Sequence, residues 1–342
     1  IADRLSRKWL IVGSLFVWSA VTFLMGYATT FEQLYGLRAV MGISEALYIP
    51  SALSLIADWH QDKSRSLAIG VHMTGLYVGQ AIGGFGATAA AAFSWQSTFH
   101  WFGIVGIAYS VVLIFFLHEN PVRMKIEKVV ANGISKGNSI GKGLLLLFSN
   151  ISFWVILFYF AAPSLPGWAT KNWLPTLFAE NLDIPMSQAG PISTITIALS
   201  SFVGVILGGF LSDRWVLKNI RGRVYTGAIG LGMTIPALLL LGFGHGFISV
   251  IGAGLLFGIG FGIFDANNMP ILCQFVSAKY RGTAYGIMNM TGVFAGAAVT
   301  QLLGKWTDGG SLGEGFAMLS IVVALALGLQ IYFLRPKTDN ME

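Results

Sequence analysis

The chain has 342 residues, 55% of them hydrophobic and 11% charged, with a mean hydropathy of +0.70; soluble domains carry roughly 25% charged residues. Its formal net charge is +6, but the basic residues sit between long apolar runs, which excludes a nucleic-acid binder and marks an integral membrane protein. Runs that are continuously apolar also exclude a β-barrel, whose strands alternate over ~10 residues.

Ten runs are long enough for the ~20 residues that a helix needs to span the hydrocarbon. The chain opens on a charged loop, "IADRLSRK", holding Asp3 and Arg4, and spans are expected over 8–28 and 31–57. The second contains "GISEALYIP", with Arg38 and Glu45 seven residues apart on one helical face. Spans over 66–93 and 98–117 follow; the former carries His72, Tyr77 and Gln80 within "HMTGLYVGQAIGG". A polar, basic stretch, "ENPVRMKIEKVVANGISKGNSIGK", then separates the chain into parts. Beyond it spans are expected over 151–179, 188–211, 224–244, 247–275, 283–304 and 314–334. The first of these packs Pro163, Pro166 and Pro175 around Trp168, Lys171 and Asn172, and so reads as a broken helix. The run 247–275 ends in "GIFDANNMP", where Asp265, Asn267 and Asn268 interrupt an apolar sequence and Pro270 removes a backbone donor, permitting a kink.

Alternate loops assigned to the cytoplasm, starting from residue 1, collect every Lys and Arg except Lys305 outside and Arg38 and Lys171 within spans. This asymmetry puts both ends of the chain in the cytoplasm. The single cysteine, Cys273, permits no internal disulfide. The chain begins in a charged loop without a leading Met, which reads as an N-terminal truncation.

Three echoes reveal a duplication. "GISEALYIP" (42–50) matches "GIFDANNMP" (262–270), "IADR" (1–4) matches "LSDR" (211–214), and "RSLAIGVHMTG" (65–75) matches "RGTAYGIMNMTG" (281–292), in the same order and at similar spacing. Two homologous halves of the same sidedness follow, residues 1–118 and 151–342, joined by a cytoplasmic linker over 119–150. Register between them implies two spans ahead of Ile1 and six helices per half.

With these features the sequence resembles the major facilitator superfamily: "IADRLSRK" and its echo "GFLSDRWVLKNIRGR" follow that family's loop signature, with Ser6 in place of a glycine. "RAVMGISEALYIPSALSLIADWHQDKSR" (38–65) and "NWLPTLF" (172–178) are similar to the anion:cation symporters, carriers of organic anions such as hexuronates, aldonates and sialic acid. The resemblance implies an all-α membrane protein of two six-helix bundles with the first two helices absent and ten present. It also implies import of a small organic anion by proton symport, through alternating access, in the inner (plasma) membrane. An uncoupled facilitator or exporter of a neutral sugar, and a transporter-like ligand sensor, are the competing readings. The expected partners are the small-molecule anion and the lipid bilayer, with no nucleic acid and with the chain as a monomer. No cofactor is expected; the coupling ion is H⁺, with Na⁺ as the alternative.

A charge near mid-membrane costs at least ~2.5 kcal/mol, so each must face a cavity or a partner. Glu45 and Arg38 are read as a proton-coupling site or a packing salt bridge, and Asp265 as a second titrating group or part of a hydroxyl-binding cluster with Asn268 and Asn267. Asn268 is favoured over Asn267 because i+3 shares the face of Asp265 and i+2 does not. Gln80 and Tyr77 are candidate substrate contacts, with His72 weighed beside them. Lys171 either neutralises a carboxylate or snorkels to the surface, Asn172 is an accessory contact, and Trp168 either offers a flat face to a sugar or belongs to the interfacial belt. Asp3 with Arg4 and Asp213 with Arg214 are gating candidates by resemblance. Catalytic and nucleotide-binding motifs are lacking, so no enzyme is expected.

Overall fold

The computed structural model describes residues 6–59, 62–119, 147–276 and 281–336, and among these the regular elements are helices: α1 (Arg7–Met25), α2 (Phe31–Trp59), α3 (Asp62–Gly83), α4 (Gly86–Ala92), α5 (Trp95–Phe116), α6 (Ile151–Leu182), α7 (Met186–Val216), α8 (Gly222–Phe243), α9 (Phe247–Asp265), α10 (Asn268–Phe275), α11 (Arg281–Asp308) and α12 (Leu312–Phe333). Each of the ten expected spans coincides with one rod. Two rods are divided, α3 from α4 at Gly84 and Phe85, and α9 from α10 at Ala266 and Asn267. Among the described residues eight helices are long and apolar enough to cross a membrane, counting α9 with α10. The other two rods, α2 and α3 with α4, carry charge in sequence, Arg38 and Glu45 in α2 and Asp62, Lys63 and Arg65 in α3.

Helix ends follow side-chain chemistry. Ser6 Oγ accepts the Trp9 amide at 3.3 Å and Asn150 Oδ1 accepts the Ser152 amide at 2.9 Å, satisfying donors that no helical carbonyl reaches. The Glu119 carboxylate accepts from the Lys8 amide at 3.1 Å, placing a negative charge where the dipole of α1 is positive. Asp183 closes α6 in the left-handed conformation, φ 51°.

The chain divides into two compact units, Ile1–Leu76 with Gly86–Gly137, and Tyr77–Phe85 with Asn138–Glu342. In the first, α1 packs between α2 and α5, with Ile11, Ala52 and Leu55 buried and Tyr48, Leu113 and Leu117 against them. Tyr48 also bridges helices, 5.2 Å from Trp18 of α1 and 6.0 Å from His72 of α3 by ring centroids. In the second unit α9 packs on α7 and α8, α12 on α8 and α6, and α11 on α6, around a core that includes Phe153, Leu231, Phe257 and Phe316.

The helix broken by prolines is not α6. Against expectation α6 runs unbroken for 32 residues through Pro163, Pro166 and Pro175. Packing against α7, α11 and α12 supports a continuous helix where isolated sequence would not. The break falls instead between α9 and α10. Pro270 has no N–H to offer Ala266 O; Asn267 N donates to Phe264 O in a tight turn, and helix resumes with Ile271 N to Asn267 O at 2.9 Å.

Candidate functional site

Asp265, the last residue of α9 before the break, lines a cavity of about 170 Å³ inside the second unit, formed by α6, α9 and α11. From α6 come Ser164, Trp168 and Lys171, from α9 Phe261 and Asp265, and from α11 Asn289. Asp265, Lys171 and Asn289 are all open to solvent. Gly292 of α11 leaves the room: a methyl group there would stand 2.9 Å from Ser164 Oγ and closer still to the Phe160 ring.

Asp265 is held on one side only. Its Oδ1 accepts from Asn268 Nδ2 at 3.1 Å, and Asn268 itself is 4% exposed. The i+3 spacing brings Asn268 to Asp265, but Asn268 is not itself part of the cavity lining. Asn267 turns the other way; fully buried, it donates Nδ2 to Ile263 O at 2.8 Å and stays outside the lining. Lys171 places its ammonium 5.0 Å from the centroid of the Trp168 ring, a cation–π distance. Its charge acts on Asp265, but among the described residues the ion pair within 4 Å is Arg223 with Asp213. Trp168 thus lines the cavity, while Trp173 donates Nε1 to Thr300 O at 3.1 Å.

Other expected residues lie elsewhere. Asn172 donates to Thr300 Oγ1 at 2.9 Å, a bond between α6 and α11 away from the lining. Tyr77 sets its ring edge-on to Phe202, 6.3 Å between centroids, and Gln80 is half-buried one turn further along α3. Arg38 and Glu45 belong to the first unit, both exposed on α2 and close enough for their charges to interact, while the opposite face of that helix buries Ser44, Ser51 and Ala52. Arg223 Nη2 lies 3.7 Å from Asp213 Oδ1, and Arg214 stacks on Phe210 at 4.1 Å. Asp3, Arg4 and most of the expected linker lie outside the described residues.

Two lining residues, Ser164 and Asn289, were missed from the sequence. Asn289 was open to discovery: it holds in "RGTAYGIMNMTG" the place that His72, already a candidate, holds in "RSLAIGVHMTG". Ser164 carries no such mark.

Apolar rods around a small cavity lined by an ammonium and a carboxylate fit a membrane carrier. The model of the Major Facilitator Superfamily matches residues 1–300, and the chain belongs to that superfamily as a multi-pass membrane transporter. It is 26% identical to the D-galactonate transporter of Escherichia coli, covering 94% of this chain and 79% of that one. To the probable anion transporter 2, chloroplastic, of Oryza sativa it is 24% identical over its whole length, spanning 66% of the relative. The crystal structure of a bacterial homolog of the lysosomal transporter Spinster, inward-facing and unoccupied, shares the fold with a TM-score of 0.77 at 17% identity, covering 99% of this chain and 85% of that one.

Proposed function

We propose that this protein is a secondary active transporter that imports a small hydroxylated organic anion, of the sugar-acid class, with protons. The observation that carries the reading is Lys171, an ammonium that lines the cavity with an aromatic ring beside it and, among the described residues, no carboxylate within 4 Å. An unpaired cation at membrane depth is costly, and a substrate carboxylate is the natural counter-charge. Relatives named for D-galactonate and for anions support the same class.

In this reading Lys171 takes the carboxylate, Asp265, Asn289 and Ser164 take hydroxyls, Asn268 orients Asp265, and Trp168 lies against the carbon skeleton. Gln80 and Tyr77 are further substrate contacts, while Asn172 and Asn267 shape the site through helix packing. Glu45 carries the coupling proton and Arg38 resets it, with Asp265 as a second titrating group. Asp213 and Arg214, like Asp3 and Arg4, belong to gating loops. In the same reading the protein works in the plasma (inner) membrane of its cell with both ends cytoplasmic, an orientation that the excess of basic residues on one side supports, as a monomer without cofactor or nucleic acid.

The test is uptake into proteoliposomes of a panel of sugar acids and neutral sugars under an inward proton gradient, compared with a sodium gradient. Gradient-driven accumulation of an acid, lost in Glu45→Gln while gradient-free exchange persists, is the expected result. Uptake of neutral sugars only, or accumulation indifferent to pH, overturns it.

A further inference from the structure

The cavity holds two opposite charges that do not meet. Lys171 rests on the Trp168 ring at 5.0 Å. Asp265 is fixed by Asn268 through Oδ1, and its Oδ2 has no hydrogen-bond partner among the described residues. A Lys–carboxylate pair meant only to neutralise itself closes to about 2.7–2.9 Å; here both charges line one cavity without forming such a pair, and Ser164 and Asn289 belong to the same lining. A solute bearing only negative charge gains at Lys171 and is repelled at Asp265. A solute with charge of both signs gains at each end.

We propose that the preferred solute is a bipolar acid, a small hydroxylated carboxylic acid that also carries an ammonium group, its carboxylate on Lys171 and its ammonium on Asp265. The inference rests on the reading that this cavity binds the substrate carboxylate. The ammonium would lie near Oδ2 of Asp265, with the faces of Phe261 and Phe264 adding cation–π attraction. Asn268 acts as a positioning residue, holding the carboxylate of Asp265 toward the cavity.

Equilibrium binding at neutral pH, on the full chain in nanodiscs, separates the possibilities with two probes that differ at one carbon: gluconate and 2-amino-2-deoxygluconate. The amino acid is expected to bind roughly tenfold to a hundredfold more tightly, the range for a hydrogen bond to a charged group. Asp265→Asn is expected to abolish that preference, and Lys171→Gln to weaken both probes alike. Because the preference is read on the unaltered protein, it does not depend on a variant folding. Equal or tighter binding of gluconate, or a preference that survives in folded Asp265→Asn protein, overturns the proposal and leaves the organic-anion reading standing. Binding of neither acid removes both.

Discussion

Two adjacent asparagines show how one residue of register separates structure from function. Asn267 is wholly buried and its amide closes on the Ile263 carbonyl four residues back. Asn268 gives its amide to Asp265. Asn267→Ala is therefore expected to lower stability by about 1 kcal/mol, the worth of one intramolecular hydrogen bond, with ligand affinity retained. Asn268→Ala is expected to do the reverse: affinity for the transported acid falls roughly tenfold, because Asp265 loses the donor that orients it. Thermal melting and equilibrium binding on the two variants check both arms, and similar effects on both quantities at both sites would refute the division of roles.

At the scale of helices, close approach of α7 and α9 fixes the end of α9 that bears Asp265. Without an apolar driving force between helices in lipid, small residues at the contact let backbones meet. A methyl at Gly204 would strike the Ile259 carbonyl, and one at Gly208 would stand 2.7 Å from Ile263 Cα. Gly204→Ala is expected to cost about 1–3 kcal/mol by overpacking. Gly209→Ala, on the same helix with nothing within 4 Å, is expected to leave the melting temperature unchanged or slightly raised, since Ala is the better helix former. The joint at Ala266 and Asn267 is the other determinant. Pro270→Ala restores a donor for the Ala266 carbonyl, so the joint should stiffen; transport turnover is expected to fall while affinity is unchanged. A variant with normal turnover would show that the joint positions side chains without flexing.

For the whole molecule, the charge asymmetry predicts a topology that simple labelling can read. In a Cys273→Ser background, Lys218→Cys lies in the loop between α7 and α8 and Asp308→Cys at the end of α11, both exposed. An impermeant thiol reagent added to oriented vesicles is expected to label them from opposite faces, Lys218→Cys from the cytoplasmic one. Labelling of both from one face would break the assignment. The contact of Arg223 with Asp213, whose side chain is 78% exposed, contributes no more than ~1 kcal/mol to stability; its importance is to be sought in gating rates.

The sequence by itself determined the number, order and approximate ends of the ten rods and the break ahead of Pro270. These follow from local physics: apolar length against bilayer thickness, and a missing backbone donor. The side chains Asp265 and Asn268 were legible because three residues along a helix share a face. Which polar groups meet was decided by tertiary structure. Asn172 and Lys171 are neighbours in a helix that is apolar nearly all round, so its sequence does not state how it is rotated; packing against α11 sends Asn172 to Thr300 and leaves Lys171 to the cavity. The same packing supports α6 as one continuous helix through three prolines. It also brings Asn289 and Ser164 to Asp265 across helices distant in the chain, because in lipid the fit between rods, rather than any pattern along one of them, chooses which faces touch.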